Sequence, residues 1–330
     1  KQQKPLPNEI HTDQQRKEET QVIAPDLNLI CKKLKKETQE MSAQRTTFAL
    51  QQINQDIRLC LPLMKYDEQM ELMALANYMY AKFLEIDRTT EQQIAFTAYA
   101  HDQSQFPTIQ QSHLEQLHIR DQYLLRHKGQ AYIDLVDTIH GESSYKRNSQ
   151  YLGKVFAPYF PEAEKQFMQT LATQNQMPIF KKNMLLIAPQ EISLRAQYWE
   201  NYLKAYPESR YRSDAQYLLQ LYSSLLFIGL EDSPVSIHFE NQADIQVTSL
   251  VEIERLSKNK NSRLADQARM FLKFLAMNNQ QRNNHLATES TTNTTSYEQL
   301  KKYLNLKTFD FSKPQPRDCF SDAICYNNQP

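Results

Sequence analysis

The stretch YWENYLKAYPESRYRSDAQYLL, residues 198–219, decides the fold class of this chain. Apolar and aromatic residues recur at three- and four-residue steps on both sides of Pro207, as they do along one face of an amphipathic helix. The residue before a proline avoids the α conformation, so we expect one helix to end at Tyr206. Ser209 is placed to cap the next helix. The stretch therefore predicts an antiparallel helical hairpin over residues 190–223.

A related pattern returns later in the chain. The segment NSRLADQARMFLKFL, residues 261–275, aligns without gaps to ESRYRSDAQYLLQLY, residues 208–222. In both segments an alanine, Ala215 or Ala268, stands among large apolar residues. A small residue lets neighbouring helices approach closely, as in stacked helix pairs. The repeat favours stacked hairpins, although two amphipathic helices can also resemble each other by chance.

The turn motif resembles the helix-turn-helix of tetratricopeptide-like repeats in bacterial periplasmic proteins, such as outer-membrane assembly lipoproteins and cell-division coordinators. The matching residues are Tyr206, Pro207, Ser209, Tyr211 and Ala215. The resemblance covers residues 198–222 and, more weakly, 261–275, while the first 150 residues show no repeat of that period. It implies a solenoid-like second half and a scaffold role, and it brings no catalytic residue with it.

Composition excludes several function classes. Lys+Arg is 38 and Asp+Glu is 38, so the net charge of +0 gives no support for a nucleic-acid partner. The 4 glycines stand at 129, 141, 153 and 229, too far apart for a phosphate-binding loop. Scarce glycine also disfavours a fold rich in tight hairpins. We therefore predict an all-α fold with at least about 60% helix, against roughly a third in an average protein.

Four segments are expected along the chain. A polar leader occupies residues 1–25, and a multi-helix domain follows over 26–285, with a further division near 158–189 as one option. A Ser/Thr-rich linker covers residues 286–297, and a polar tail covers 298–330.

Local signals place several helix boundaries. Asp26 is expected to cap the first helix, and Thr90 with Gln93 makes a capping box for a later one. Ser249 with Glu252 makes another. The run from residue 112 to residue 139 is expected to form one long helix with a bend at Gly129.

The 4 cysteines bear on the compartment. Cys319 and Cys325 enclose five residues, so a disulfide closes easily and would present Phe320 and Ile324 as a tip for a partner. On a single helix over 27–61, Cys31 and Cys60 would lie about 40 Å apart, whereas a break near 41–47 would bring them together in a hairpin. The alternative is four ordinary thiols. An even count fits an oxidising compartment.

These features favour a non-enzymatic periplasmic scaffold that binds an envelope protein complex, in secretion or cell-wall assembly. The sequence contains no run of 18 or more apolar residues, the length that a membrane-spanning helix needs. The chain begins at Lys1, as it would after removal of a secretory signal or after trimming. A membrane tether upstream of residue 1 is compatible with this expectation. The candidate partner surface is the aromatic group around the Pro207 turn, with ordinary packing between helices as the alternative. Its members are Tyr198, Trp199, Tyr202, Tyr206 and Tyr211.

The second hypothesis is a cell-wall-active hydrolase, or its regulator, whose two carboxylates meet only in the fold. The 8 histidines show no metal signature, since His113 and His118 are off the spacing that places two ligands on one helix face. No metal or other cofactor is therefore expected. A deep cleft with facing carboxylates would favour the hydrolase, and a groove lined by tyrosines would favour the scaffold.

Overall fold

The computed structural model describes residues 26–105, 114–137, 142–286 and 294–327. Of these described residues, 62% are helical, in thirteen α-helices, and the strands among them are short, which confirms the predicted helical class. The expected leader, residues 1–25, lies outside the described residues, as does most of the expected linker, residues 287–293.

The helices lie along the whole described chain. They are α1 (Leu27–Gln39), α2 (Thr47–Cys60), α3 (Tyr66–Phe83), α4 (Thr90–Gln105), α5 (Ile119–Arg126), α6 (Gln150–Val155), α7 (Glu162–Gln174), α8 (Pro189–Ala205), α9 (Arg212–Phe227), α10 (Val247–Ser257), α11 (Arg263–Ala276), α12 (Asn279–Leu286) and α13 (Ser296–Leu304). The strands pair as antiparallel hairpins: β1 (Ile133–Asp137) with β2 (Ser143–Arg147), β3 (Phe180–Lys181) with β4 (Met184–Leu185), β5 (Gly229–Leu230) with β6 (Ser233–Pro234), and β7 (Arg317–Asp318) with β8 (Tyr326–Asn327).

The hairpin predicted around Pro207 is confirmed. Helix α8 ends at Ala205, and α9 begins at Arg212 and packs along it. Ser209 Oγ accepts a hydrogen bond from the backbone N–H of Tyr211 at 3.1 Å and lies 2.7 Å from the Tyr202 hydroxyl. These bonds fix the path of the chain between the helices. Helices α10 and α11 form a second hairpin that contacts α8.

The first two helices form the hairpin that the cysteine spacing allowed. Helix α1 begins after Asp26, whose carboxylate accepts from the backbone N–H groups of Asn28 and Leu29. It ends at Gln39, and α2 begins at Thr47. The turn between them lets Cys31 and Cys60 form a disulfide with a Cα–Cα distance of 5.6 Å. Cys319 and Cys325 are also bonded.

The expectation of one long helix through Gly129 is wrong. Helix α5 ends at Arg126, and Gly129 turns the chain in the left-handed region with φ of 82°. Its N–H donates to the Ile133 carbonyl at 2.7 Å, and the chain continues into β1. In this strand Ile133 is buried and the next three residues are half-buried, and this packing against neighbouring elements, which the apparent helical period of the sequence does not reveal, favours the strand.

The two expected capping boxes also differ from the observed contacts. The box that opens α4 lies one residue earlier, because Thr89 Oγ1 accepts from the Gln92 backbone N–H and Gln92 accepts from Thr89 in return. Ser249 and Glu252 lie inside α10 and cap nothing at its start, since that helix begins at Val247.

The C-terminal segment is part of the core. Phe311, Cys319 and Ala323 are fully buried, and one hydrophobic core runs from Leu34 to Ile324. Ile324 is buried, so the expectation that the loop presents it as a tip for a partner is wrong, whereas Phe320 is half-buried. The reason is that the disulfide loop packs against the rest of the chain.

Candidate functional site

The aromatic residues around the Pro207 turn serve mainly as core. Trp199, Tyr202 and Tyr211 are 0%, 3% and 7% exposed. The ring of Phe167 lies against two of them, 5.1 Å from Trp199 and 4.5 Å from Tyr211 between centroids. These three side chains present almost no surface to a partner, so the alternative of packing between helices accounts for them.

The other two aromatic candidates are half-buried. The Tyr198 hydroxyl accepts from Thr170 Oγ1 at 2.6 Å and donates to the Gln166 carbonyl at 3.2 Å. The Tyr206 ring lies 5.1 Å from that of Tyr202. A part in partner binding stays a prediction for Tyr198 and Tyr206.

The structure assembles a cleft that sequence reasoning missed. We call it the hairpin cleft; it has a volume of about 940 Å³. One wall is the β1–β2 hairpin, the second is the segment 175–180 after α7, and the third is the segment 311–321. These segments are far apart in sequence, so no local sequence pattern predicts that they form a cleft.

A buried ion pair holds the hairpin to the C-terminal wall. Arg147 Nη2, at the end of β2, donates to Asp322 Oδ2 at 2.5 Å and to Asn77 Oδ1 at 2.7 Å. Its guanidinium lies over the rings of Tyr80 and Tyr151, at 5.0 and 4.6 Å from their centroids. Burial lowers the pKa of Arg147, but Asp322 together with the hydroxyls of Tyr326 and Tyr151 outweighs it, so the pKa is raised above the ordinary value and the cation is retained.

The C-terminal wall has two further attachments. Asn175 Nδ2 donates to the backbone carbonyls of Cys319 at 2.7 Å and Asp322 at 2.6 Å. The ring of Phe320 lies 5.0 Å from that of Phe180 in an edge-to-face contact. A side-chain amide, a disulfide and an aromatic contact thus give the cleft a preformed wall.

Three of the carboxylates that line the cleft accept hydrogen bonds from their own chain. Asp134 accepts from Asn148 Nδ2 at 2.6 Å. Asp137 accepts from Ser143 Oγ at 2.8 Å and lies 3.8 Å from Lys181 Nζ. Asp318 accepts from the backbone N–H groups of residues 320 and 321. These contacts hold the three carboxylates in place as polar groups of the cleft wall.

One ion pair beside the cleft contains a carboxylate whose pKa is shifted. Arg317, which lines the cleft, donates to Asp214 on α9. Burial raises the pKa of Asp214 above its ordinary value, and the attraction of Arg317 offsets only part of that effect. The pair joins the wall to the central helical hairpin.

A second cavity, of about 780 Å³, lies between α3, α5 and the α1–α2 turn. Arg120 lines it and is 9% exposed. Its Nη2 donates to the Phe83 carbonyl at the end of α3, and its Nη1 donates to the Arg45 carbonyl, both at 2.9 Å. Unpaired carbonyls at a helix C-terminus attract cations, so Arg120 is explained as a cap of α3.

Among the described residues, no group of three or more His, Cys, Asp or Glu side chains is arranged to hold a metal ion. In the same part of the chain, every helix is too short or too polar to cross a membrane. No family model, curated protein or solved structure matches this chain. The tetratricopeptide-like resemblance therefore rests on the turn motif itself.

Proposed function

We propose that the protein is a non-enzymatic scaffold of the periplasm that binds an envelope protein through the hairpin cleft. The cleft itself carries this proposal. Three distant segments are fastened together by a buried ion pair and by Asn175, and a disulfide closes a loop within the third of them. They enclose a volume that suits part of a partner. Its lining mixes apolar and charged side chains, as protein-binding surfaces do.

The helical architecture supports the scaffold role. The hairpins α8–α9 and α10–α11 lie next to each other, and both contain a fully buried alanine, Ala215 or Ala268, in the aligned position. We propose that they form a short tetratricopeptide-like stack. In such stacks each helix pair packs on its neighbour and provides a rigid surface for other proteins.

The two disulfides support an oxidising compartment, because cytosolic thiols are kept reduced. Among such compartments we propose the periplasm, on the strength of the turn motif. Fractionation of the native host, followed by blotting for the protein, tests this part: recovery with the cytosol would contradict it.

The hydrolase alternative has one observation in its favour, which is that Asp134 and Asp137 both line the cleft. Each accepts a hydrogen bond from a neighbouring side chain, which occupies part of its hydrogen-bonding capacity and favours a binding role. The variants Asp134→Asn and Asp137→Asn separate the two proposals. A scaffold should keep its partner in both, whereas a hydrolase should lose turnover of cell-wall material.

Site-specific photo-cross-linking tests the scaffold proposal. A benzoylphenylalanine at Val136, which lines the cleft, should give a covalent adduct with an envelope protein in living cells. The matched control is the same group at Ile237, which is 79% exposed and lies on another surface. Equal adducts at both positions, or none at Val136, would contradict the proposal.

A further inference from the structure

The Cys319–Cys325 disulfide closes the loop through which the C-terminal wall is attached to the other two walls of the hairpin cleft. Toward β2, the Asp322 carboxylate accepts from Arg147 Nη2. Toward the segment after α7, the carbonyls of Cys319 and Asp322 both accept from Asn175 Nδ2, at 2.7 and 2.6 Å. Contacts to two different walls therefore end on residues of one short, covalently closed loop.

The same loop supplies part of the cleft lining. Phe320 and Ser321 line the cleft, and both lie between the two cysteines. Asp318, directly before the loop, accepts from the backbone N–H groups of residues 320 and 321. The shape of the loop thus positions these lining side chains, so a change in the loop changes the cleft.

A short strand pair also joins the two ends of the loop. It is β7 with β8, in which Arg317 pairs with Asn327 and Asp318 pairs with Tyr326. A single two-stranded hairpin is marginally stable in water, and this one has only two residues on each side. The covalent bond is therefore the stronger restraint on the ends of the loop.

The two cysteines of this bond differ in exposure. Cys319 is fully buried, whereas Cys325 is half-buried. A thiolate in solution therefore meets the disulfide from the Cys325 side, and the sulfur that leaves is that of Cys319. A departing thiolate is poorly solvated in an apolar site, so exchange is favoured when the wall is displaced and Cys319 meets water. Reduction of the bond and opening of the cleft are thereby coupled.

We infer that the Cys319–Cys325 bond is a redox clasp: the oxidised chain holds the hairpin cleft ready for its partner, and reduction releases the loop and lowers partner binding. This inference rests on the proposed function and specifies how the same site is regulated. In a reducing compartment the clasp stays open, so the partner is bound only where disulfides form.

Opening of the clasp is a thiol–disulfide exchange with a dithiol. One thiolate of the dithiol attacks Cys325 Sγ, the Sγ–Sγ bond breaks, and the Cys319 sulfur leaves and takes up a proton. The second thiol of the reagent then displaces Cys325 as a thiol. The dithiol is oxidised to a disulfide, and each cysteine gains one electron and one proton. Closing is the reverse reaction, with a disulfide as the oxidant.

Hydrogen–deuterium exchange followed by mass spectrometry tests the clasp without knowledge of the partner. In Cys319→Ser/Cys325→Ser, backbone exchange in residues 311–321 should be at least tenfold faster than in the wild type, with exchange in α1 and α2 unchanged. The matched control is Cys31→Ser/Cys60→Ser, which should speed exchange in α1 and α2 and leave residues 311–321 as they are. Unchanged exchange in residues 311–321 of the first variant would overturn the inference.

Partial reduction of the folded wild type gives the same test if the double variant does not fold. Dithiothreitol is added in steps, and alkylation with peptide mapping identifies which disulfide has opened. Protein in which only Cys319–Cys325 is reduced should show the fast exchange in the C-terminal wall and keep the far-UV circular dichroism of the oxidised protein. Loss of the helical signal at that step would overturn the inference, because the bond would then support the whole fold rather than the cleft.

The coupling also predicts faster reduction when the wall is loosened. Asn175→Ala removes both of its hydrogen bonds to the loop, so the rate at which dithiothreitol reduces Cys319–Cys325 should rise at least fivefold. The Cys31–Cys60 bond in the same sample is the internal control and should be reduced at its wild-type rate. An equal rise at both disulfides would indicate general destabilisation and would contradict the coupling.

Photo-cross-linking from Val136 separates the clasp from the proposed function. Cys319→Ser/Cys325→Ser should lower the yield of the Val136 adduct at least tenfold, whereas Cys31→Ser/Cys60→Ser should lower it less than twofold. An undiminished adduct in the first variant leaves the proposed function standing and removes the clasp. Fast exchange in the wall of that variant, with no Val136 adduct in the wild type, removes the scaffold proposal and leaves a redox-controlled cleft of another use.

Discussion

Arg147 of β2 and Asp322 of the C-terminal disulfide loop, 175 positions apart in the chain, are joined by an Nη2–Oδ2 hydrogen bond of 2.5 Å. Their side chains are only 5% and 8% exposed. The bond connects the two main walls of the hairpin cleft. Loss of either partner would leave the other charge buried, which costs much more than the net contribution of the intact pair.

The variant Asp322→Ala should therefore lower the free energy of unfolding by roughly 3–5 kcal/mol. Urea unfolding followed by circular dichroism measures this change. The matched control is Glu71→Ala, which breaks the exposed Lys35–Glu71 pair and should cost about 0–1 kcal/mol. Equal losses in the two variants would contradict the structural role of Asp322.

Replacement of both charges should be milder than loss of one. In Arg147→Met/Asp322→Leu no unpaired charge remains buried, so most of the lost stability should return relative to Asp322→Ala. The same unfolding experiment measures the recovery. A double variant less stable than Asp322→Ala would show that the hydrogen bonds of Arg147 to Asn77, rather than the charge balance, hold the walls together.

Ala215→Leu tests the packing of the central hairpin. Ala215 is fully buried on α9, so a larger side chain should overpack the contact and cost about 1–3 kcal/mol. The adjacent exposed residue gives the control, since Gln216→Leu should change stability by about 0.5 kcal/mol or less. An unchanged denaturation midpoint in Ala215→Leu would contradict the packing described for α9.

Both disulfides should be found intact by non-reducing peptide mapping of protein prepared under oxidising conditions. In the chain-entropy relation, removal of Cys31–Cys60 by paired alanines should cost roughly 3–4 kcal/mol and removal of Cys319–Cys325 roughly 2 kcal/mol, because the first closes the longer loop. Thiols at these positions that are alkylated without reductant would contradict both the pairing and the oxidising compartment.

Alkaline conditions should destabilise the fold between pH 10 and pH 12. Burial raises the pKa of Tyr202 and of Tyr217 to about 12, above the ordinary value of 10.0 for a tyrosine hydroxyl. The folded protein then keeps protons that the unfolded chain loses, so this stability is present below pH 10 and declines as pH rises toward 12. Tyr202→Phe should reduce the slope of the free energy of unfolding against pH by up to about 1.4 kcal/mol per pH unit. An identical slope in the variant would contradict this assignment.

Helix boundaries were predictable from the sequence where the residue that starts or ends the helix acts locally. Asp26 and Pro207 each act within one turn of the chain, so their effects could be read from the sequence. The disulfide between Cys31 and Cys60 could be reduced to two alternatives, because helix geometry permits it only if the segment folds back. These features depend on distances of a few residues.

The strand and the cleft depend on distant contacts. Gly129 fitted a bent helix as well as a turn, and only tertiary packing selects β1. Exposure of Trp199 could not be read from an aromatic-rich helix, because its burial depends on α7. The Arg147–Asp322 pair joins segments whose proximity is a property of the whole fold. Sequence reasoning therefore predicted the helical class and missed the hairpin cleft.

Quantitative capture from envelope extract tests the role of the hairpin cleft most directly. Chemical cross-linking and mass spectrometry would compare the wild type with Val136→Arg, in the cleft, and Ile237→Arg, on an exposed surface away from it. All three proteins should have similar melting temperatures. We expect the wild type and Ile237→Arg to enrich the same envelope proteins. The captured amount of these proteins should be at least tenfold lower with Val136→Arg. The same proteins enriched equally by all three would contradict binding at the cleft.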